Sequence, residues 1–168
     1  MEEDRSMDKN DRLVWYVVYG SNLQEERFLR YINGDCDRNG CNDKTPPRKS
    51  IPVIIPGKRY FAKSSSRWQN KGVAFYDWTA DGEICGRAWL ITEEQFKEIK
   101  VQEGESWYKE EIEFCPIDGI AARTITHDNS FRKDINAPSK KYLQVIQSGE
   151  AETRRLPQMS IMLRFCQN

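Results

Sequence analysis

A run of strand-formers, LVWYVVY (13–19), breaks at Gly20-Ser21-Asn22 and passes almost at once into a helix-like segment, Gln24 to Tyr31. No other feature constrains the fold as strongly. An unbroken apolar run of this length marks a buried strand. The segment after it sets Phe28, Leu29 and Ile32 on one side, with Glu25, Glu26, Arg27 and Arg30 elsewhere, as an amphipathic helix does. Glycine, serine and asparagine tolerate sharp backbone bends, and Gly20 admits geometry that a side chain forbids. A helix start also leaves unpaired N–H groups pointing outward with partial positive charge. Alone, the bend reads as a cap. As the wall of a pocket, it suits a carboxylate or the oxyanion of a carbonyl under attack.

The chain of 168 residues is long enough for one domain that buries roughly 70% of its unfolded surface. We expect a mobile tail over 1–12 and a single domain over 13–168. Its 26 basic and 26 acidic side chains cancel, so no bulk charge points to nucleic acid or an anionic membrane. No apolar run approaches the roughly 18 residues of a membrane helix. The charged N-terminus lacks the apolar core of a signal peptide. With five cysteines and no secretory signal, the expectation is a cytoplasmic protein with reduced thiols, Cys85 and Cys115 packing as buried residues in strands.

Farther along, 33–50 is a long polar loop, and loops of that length are usually functional or mobile. Strands are expected at 58–63 and 72–76. An Asp-Gly hairpin turn at 77–83 would lead to a return strand at 84–91. Thr92 and Gln95 have the spacing of a capping box, opening a helix to about Lys100. Strands at 106–114 and 120–127 pair across PIDG, and a helix at 139–149 starts at Ser139 and stops at Gly149. The residues after 150 carry no clear pattern. The mixture predicts an α+β fold: a small, mixed, mostly antiparallel, barrel-like sheet with flanking helices.

One other stretch carries chemistry. In VQEGESWY (101–108), Glu103 stands at a helix-to-strand junction beside Val101, Trp107 and Tyr108. Desolvation there would raise its pKa towards the range useful to a general base. Alone, it reads as a solvated loop acid.

Together the two stretches resemble the γ-glutamylcyclotransferase family. Tyr19-Gly20-Ser21-Asn22-Leu23 matches the family signature at the end of the first strand, and QEGESWY matches its downstream Glu-Gly pair with a nearby aromatic. The similarity spans about 13–150. It implies a catalytic role for Glu103, substrate binding by Tyr19 to Leu23, and a substrate-contacting tyrosine at Tyr142 in the late helix. It also implies a small barrel-like sheet, a small-molecule γ-glutamyl substrate and no cofactor. Val17-Val18 replaces the usual Phe-Ala, and the 33–50 loop is longer than in compact members. Asn22 sets the chain apart from the glutathione-specific branch, where leucine follows the serine directly. Alternatives are a non-catalytic small-ligand binder of this fold, or a single-stranded nucleic-acid binder.

That last reading rests on 58–71, where Lys58, Arg59, Lys63, Arg67 and Lys71 interleave with Tyr60, Phe61 and Trp68. Within the family reading, Lys63 or Arg67 meets the substrate α-carboxylate. DCDRNG (35–40) copies the start of a calcium loop, but Pro46 stands where a bidentate glutamate is needed. Cys36 and Cys41 lack a second ligand pair for zinc, so no metal is expected. His127, the only histidine, reads as structural.

Overall fold

The computed structural model describes residues 12–166. Apart from Arg12, the tail expected at 1–12 lies outside them. Strand β1 (Leu13–Val18) is the central element, and five of its six residues are buried. It pairs antiparallel with β5 (Glu83–Thr92) and parallel with β7 (Ile120–Thr126). The full sheet adds β6 (Glu110–Ile117), β2 (Ser50–Pro56) and β8 (Ile161–Met162), in the order β6-β7-β1-β5-β2-β8. Three of its pairings are antiparallel and two parallel. A second sheet pairs β3 (Lys58–Ser65) with β4 (Lys71–Asp77). The fold is α+β, a curled mixed sheet with helices α1 (Glu25–Asn33), α2 (Glu93–Glu103) and α3 (Lys140–Arg154). None of these helices is long and apolar enough to cross a membrane.

Several local expectations are corrected. The turn after β4 does not make a hairpin, because β4 and β5 belong to different sheets. Asp77 accepts hydrogen bonds from the amide and hydroxyl of Thr79, and the Gly82 carbonyl accepts from the Gly57 amide, so the chain crosses into the larger sheet. The β6–β7 hairpin forms as expected, with Asp118 (φ 51°) and Gly119 (φ 78°) supplying the two positive angles of a tight turn. However, β6 starts only at Glu110, since 104–109 turn back so that the Trp107 and Tyr108 amides reach the Gly104 carbonyl. Strand β2, which the patterning left unassigned, carries Pro52 and Pro56, residues that demote a strand reading. Its partner β8 meets only Val53 and Ile54, so the prolines fall outside that ladder.

Helix α3 does not stop at Gly149 but runs through it to Arg154. Glycine is there for close packing. A Cβ on it would stand 2.5 Å from the Leu23 Cβ and 2.6 Å from the Gln24 nitrogen. Helix α1 buries Phe28, Tyr31 and Ile32, so Tyr31, rather than Leu29, faces inward. Phe28 stacks on Trp89 at 4.7 Å between centroids, a contact worth about 0.5–1.5 kcal/mol beyond burial.

The cysteines also differ. Cys115 is joined to Cys166 rather than packing as a free thiol. Cys85 is exposed, because the alternation of β5 turns Ile84 inward and Cys85 outward. The Cys115 link anchors a C-terminal strap. The Leu163 amide donates to Ile54 of β2, and the Arg164 carbonyl accepts from Cys115 of β6, so one segment touches both ends of the sheet.

Candidate active site

The bend after β1 is a 3₁₀ turn, Ser21–Leu23. All five carbonyls from Tyr19 to Leu23 are held. Tyr19 O accepts from Arg59 Nε at 2.8 Å, Asn22 O from Trp89 Nε1 at 3.1 Å, and Leu23 O from Arg87 Nη1 at 3.0 Å. Gly20 O and Ser21 O accept from the amides of Leu23 and Gln24. Among the described residues, the amides of Ser21 and Asn22 have no protein acceptor. The Leu23 amide is not free to serve as an oxyanion donor, because it donates to Gly20 O at 3.1 Å. Gly20 has φ −124°, so the left-handed region is not what selects it. Its missing side chain instead leaves room near the Tyr142 hydroxyl and Ala74, each 3.4 Å from where a Cβ would sit.

Arg87 and Glu152 brace this turn from behind. Glu152 Oε1 accepts from both Arg87 Nη1 (3.2 Å) and the amide of Glu25 at the start of α1. An acid at a helix N-terminus is electrostatically favoured.

Glu103 comes from the other side. Thr92 and Gln95 form the capping box that starts α2, with Thr92 Oγ1 accepting from the Gln95 amide at 3.0 Å. The helix runs past Lys100 to Glu103 and ends at Gly104, whose φ of 102° favours glycine. Glu103 therefore closes the helix, and its carboxylate lands on the turn. Asn22 Nδ2 donates to Oε2 at 3.0 Å, and the Tyr31 hydroxyl donates to Oε1 at 2.9 Å. Burial pushes Glu103 above the ordinary carboxylate range, opposed by the Tyr31 and Asn22 hydrogen bonds and by the charges of Arg38 and Arg67. The negative end of the α2 dipole adds to the upward push.

The two stretches meet in a hollow of about 100 Å³, lined by Gly20, Ser21, Asn22, Glu103, Tyr19 and Tyr142 among others. Tyr142 is buried, its hydroxyl accepting from the Ala74 amide at 3.0 Å. Tyr108 donates to the carbonyl of the same residue at 2.8 Å. Tyr19 donates to Ile125 O at 2.7 Å, and Leu23 is fully buried beneath the turn.

Three more residues of the wall carry no clear signal in the sequence. Arg27 stacks over Trp68 at 4.5 Å, and Arg38 over Tyr31 at 4.2 Å, with Arg38 Nη2 donating to the Tyr31 hydroxyl at 2.9 Å. Tyr31 was not among the inward residues read from the sequence, Phe28, Leu29 and Ile32, although it follows Phe28 at a helical spacing of three. Arg38 comes from the 33–50 loop. There Asp35 turns the chain back, its carboxylate accepting from the Asp37 amide and its backbone pairing with Arg38. The loop is tied to α2 by Gln95 Nε2, which donates to the Asp43 and Thr45 carbonyls.

Of the two cations expected to meet an α-carboxylate, Arg67 lies on the hollow; Lys63 instead pairs with Asp134 at 3.4 Å. Tyr60 and Trp68 are buried, and Arg59 is bonded to the turn. His127 is buried against Phe131, with rings 3.5 Å apart, and burial lowers its pKa.

No family model matches the sequence. Among solved structures, a γ-glutamyl cyclotransferase superposes over 87% of this chain and 82% of its own, with TM-score 0.65 and 21% identity. An uncharacterized Homo sapiens protein gives 0.64 and 22% over the same shares. The fold is that of γ-glutamyl cyclotransferase. YkqA of Bacillus subtilis shares it at TM-score 0.53 and 14% identity, over 88% of this chain and 56% of its own. Among curated proteins, "Histone deacetylase 5" of Arabidopsis thaliana is 36% identical over 101 residues, covering 54% of this chain. The chain spans 15% of that relative's length. On the γ-glutamyl cyclotransferase fold, the hollow lies between the turn that follows β1 and the end of α2.

Proposed function

We propose that this protein cyclises a γ-glutamyl amide, releasing 5-oxoproline and a free amine or amino acid. The observation that carries the proposal is the 3.0 Å hydrogen bond from Asn22 to Glu103, which joins a raised-pKa carboxylate to a turn with open amides. The likeness to a plant histone deacetylase, confined to 15% of that protein, contributes nothing to it.

A γ-glutamyl group carries its own nucleophile, the α-amine. Holding it folded against the γ-carbonyl makes the attack intramolecular, where effective molarities reach about 10⁵–10⁸ M. No protein nucleophile is then required. Glu103 is the base. Among the described residues each of its oxygens accepts one hydrogen bond, which leaves a lone pair for the substrate ammonium. It takes a proton from that ammonium, the amine attacks the γ-carbon, and the amides of Ser21 and Asn22 hold the oxyanion. One such donor is worth about 10²–10³ in rate. As the amide C–N bond breaks, Glu103 passes its proton to the leaving nitrogen. The ring nitrogen sheds its second proton to solvent, and the freed amine takes one up. Tyr142 and Tyr19 pack the folded substrate.

The test is release of 5-oxoproline from a panel of γ-glutamyl amino acids, polyamines and lysine isopeptides, by wild type and by Glu103→Gln. Turnover by wild type alone is expected. Equal turnover by the variant removes Glu103 from the mechanism. No turnover of any panel member leaves a ligand-binding protein of this fold.

A further inference from the structure

We propose that Arg38 holds the α-carboxylate of the γ-glutamyl substrate, making it a specificity-determining residue supplied by the 33–50 loop. The inference rests on the reading of Glu103 as the base for the α-amine.

Arg38 is well placed and incompletely used. Its side chain is 8% exposed. Nη2 donates to Tyr31 and Nη1 is 3.8 Å from Asp35, yet Nε is buried with no partner among the described residues. Leaving a buried donor on a charged group unsatisfied is costly, and an acceptor from outside the chain would relieve it. The side chain lines the same hollow as Glu103.

The second argument is the spacing of charges. Glu103 and Arg38 are separated only by the Tyr31 hydroxyl, through two hydrogen bonds of 2.9 Å. A γ-glutamyl head carries an ammonium and a carboxylate on one carbon. Setting the ammonium on Glu103 therefore brings the carboxylate to its immediate neighbourhood, where a planar guanidinium can accommodate it. The other cations fit less well. Arg67 is exposed, Lys63 is paired with Asp134, and Arg27 has no hydrogen bond to Tyr31 or Glu103 among the described residues, whereas Arg38 donates to Tyr31.

The experiment needs no turnover at its first stage. Binding of 5-oxoproline and of 2-pyrrolidinone, which lacks only the carboxylate, is measured by calorimetry on wild type, Arg38→Met and Arg38→Lys. Wild type should prefer 5-oxoproline by about 10–100-fold, the range of a hydrogen bond to a charged group. Arg38→Met should erase that preference, and Arg38→Lys should keep part of it. Thermal unfolding checks that both variants fold. A preference retained in Arg38→Met, or absent in wild type, overturns the proposal.

The second stage compares turnover of a γ-glutamyl anilide with that of the 4-aminobutyryl anilide. Arg38→Met should lower kcat/KM for the first by about 10–100-fold more than for the second, any loss felt through Tyr31 and Glu103 being common to both. Equal losses on both would make Arg38 a support for Tyr31 alone and overturn the carboxylate role. If the binding preference behaves as expected but nothing is turned over, the Arg38 subsite stands and the cyclisation reading falls. Turnover with an unaffected preference has the opposite meaning.

Discussion

Gly149 of α3 and Leu23 of the 3₁₀ turn are packed so closely that a Cβ on the glycine would stand 2.5 Å from the leucine Cβ and 2.7 Å from its carbonyl carbon. The late helix is thereby a backing plate for the turn that holds Ser21 and Asn22. Gly149→Ala tests this. Alanine improves helix propensity by about 1 kcal/mol, but overpacking against backbone costs about 1–3 kcal/mol. The expected outcome is a net loss in urea unfolding, with a larger proportional loss of 5-oxoproline release, since the turn moves.

Glu103→Gln should leave the fold intact. The amide can accept from Tyr31, and a rotated Asn22 can present its Oδ1, which has no partner among the described residues. Burial raises the folded pKa of Glu103, so the native state binds its proton more tightly than the unfolded chain. That stabilisation is complete below the unfolded value of about 4.3 and is lost as pH rises through the folded value. Thermal scans across this window should show a slope in wild type that flattens in Glu103→Gln.

Activity should run the opposite way with pH. A base must be ionised, so kcat/KM should climb through a pKa above the ordinary carboxylate range. A rate profile flat down to pH 4 would argue against Glu103 as that base.

Trp89→Phe removes the donor to Asn22 O while keeping an aromatic ring against Phe28. The expected loss is about 1–3 kcal/mol for a buried carbonyl left unpaired, together with a fall in kcat, as the turn loses one of its anchors. A drop in stability with kcat unchanged would show that the carbonyl contacts do not orient the amides.

Reducing Cys115–Cys166, which are 51 positions apart, should lower unfolding stability by about 2–4 kcal/mol. Glu103 and Asn22 lie elsewhere, so 5-oxoproline release below the transition should be unaffected.

The central strand, the capping box at Thr92, the PIDG hairpin and the helix from Ser139 were legible because each rests on local chemistry: apolar continuity, a reciprocal cap, two positive angles, a serine cap. Of the candidate site, the sequence picked out Gly20-Ser21-Asn22 and Glu103, which the fold brings together on one hollow. What escaped was decided at long range. Gly149 looked like a helix stop because its close neighbour is 126 residues away in sequence, at Leu23. Arg38 looked like loop charge because only folding sets it on Tyr31. Cys115 looked like a packing thiol because its mate lies in a segment without a pattern. Lys63 and Arg67 could not be separated until the bulge near Lys63 (φ 67°) sent one side chain to Asp134.

The strap at 161–166 bears on how molecules of this protein meet one another. A curled sheet that stops at β2 and β6 would present two margins of unpaired backbone, each a template for a neighbour's strand. Ile161 to Arg164 occupies part of both, and Phe165 stacks on Phe114 at 5.4 Å. Among the described residues this one segment covers both, so lifting it would uncover the two margins together and open each to strand addition by a neighbour.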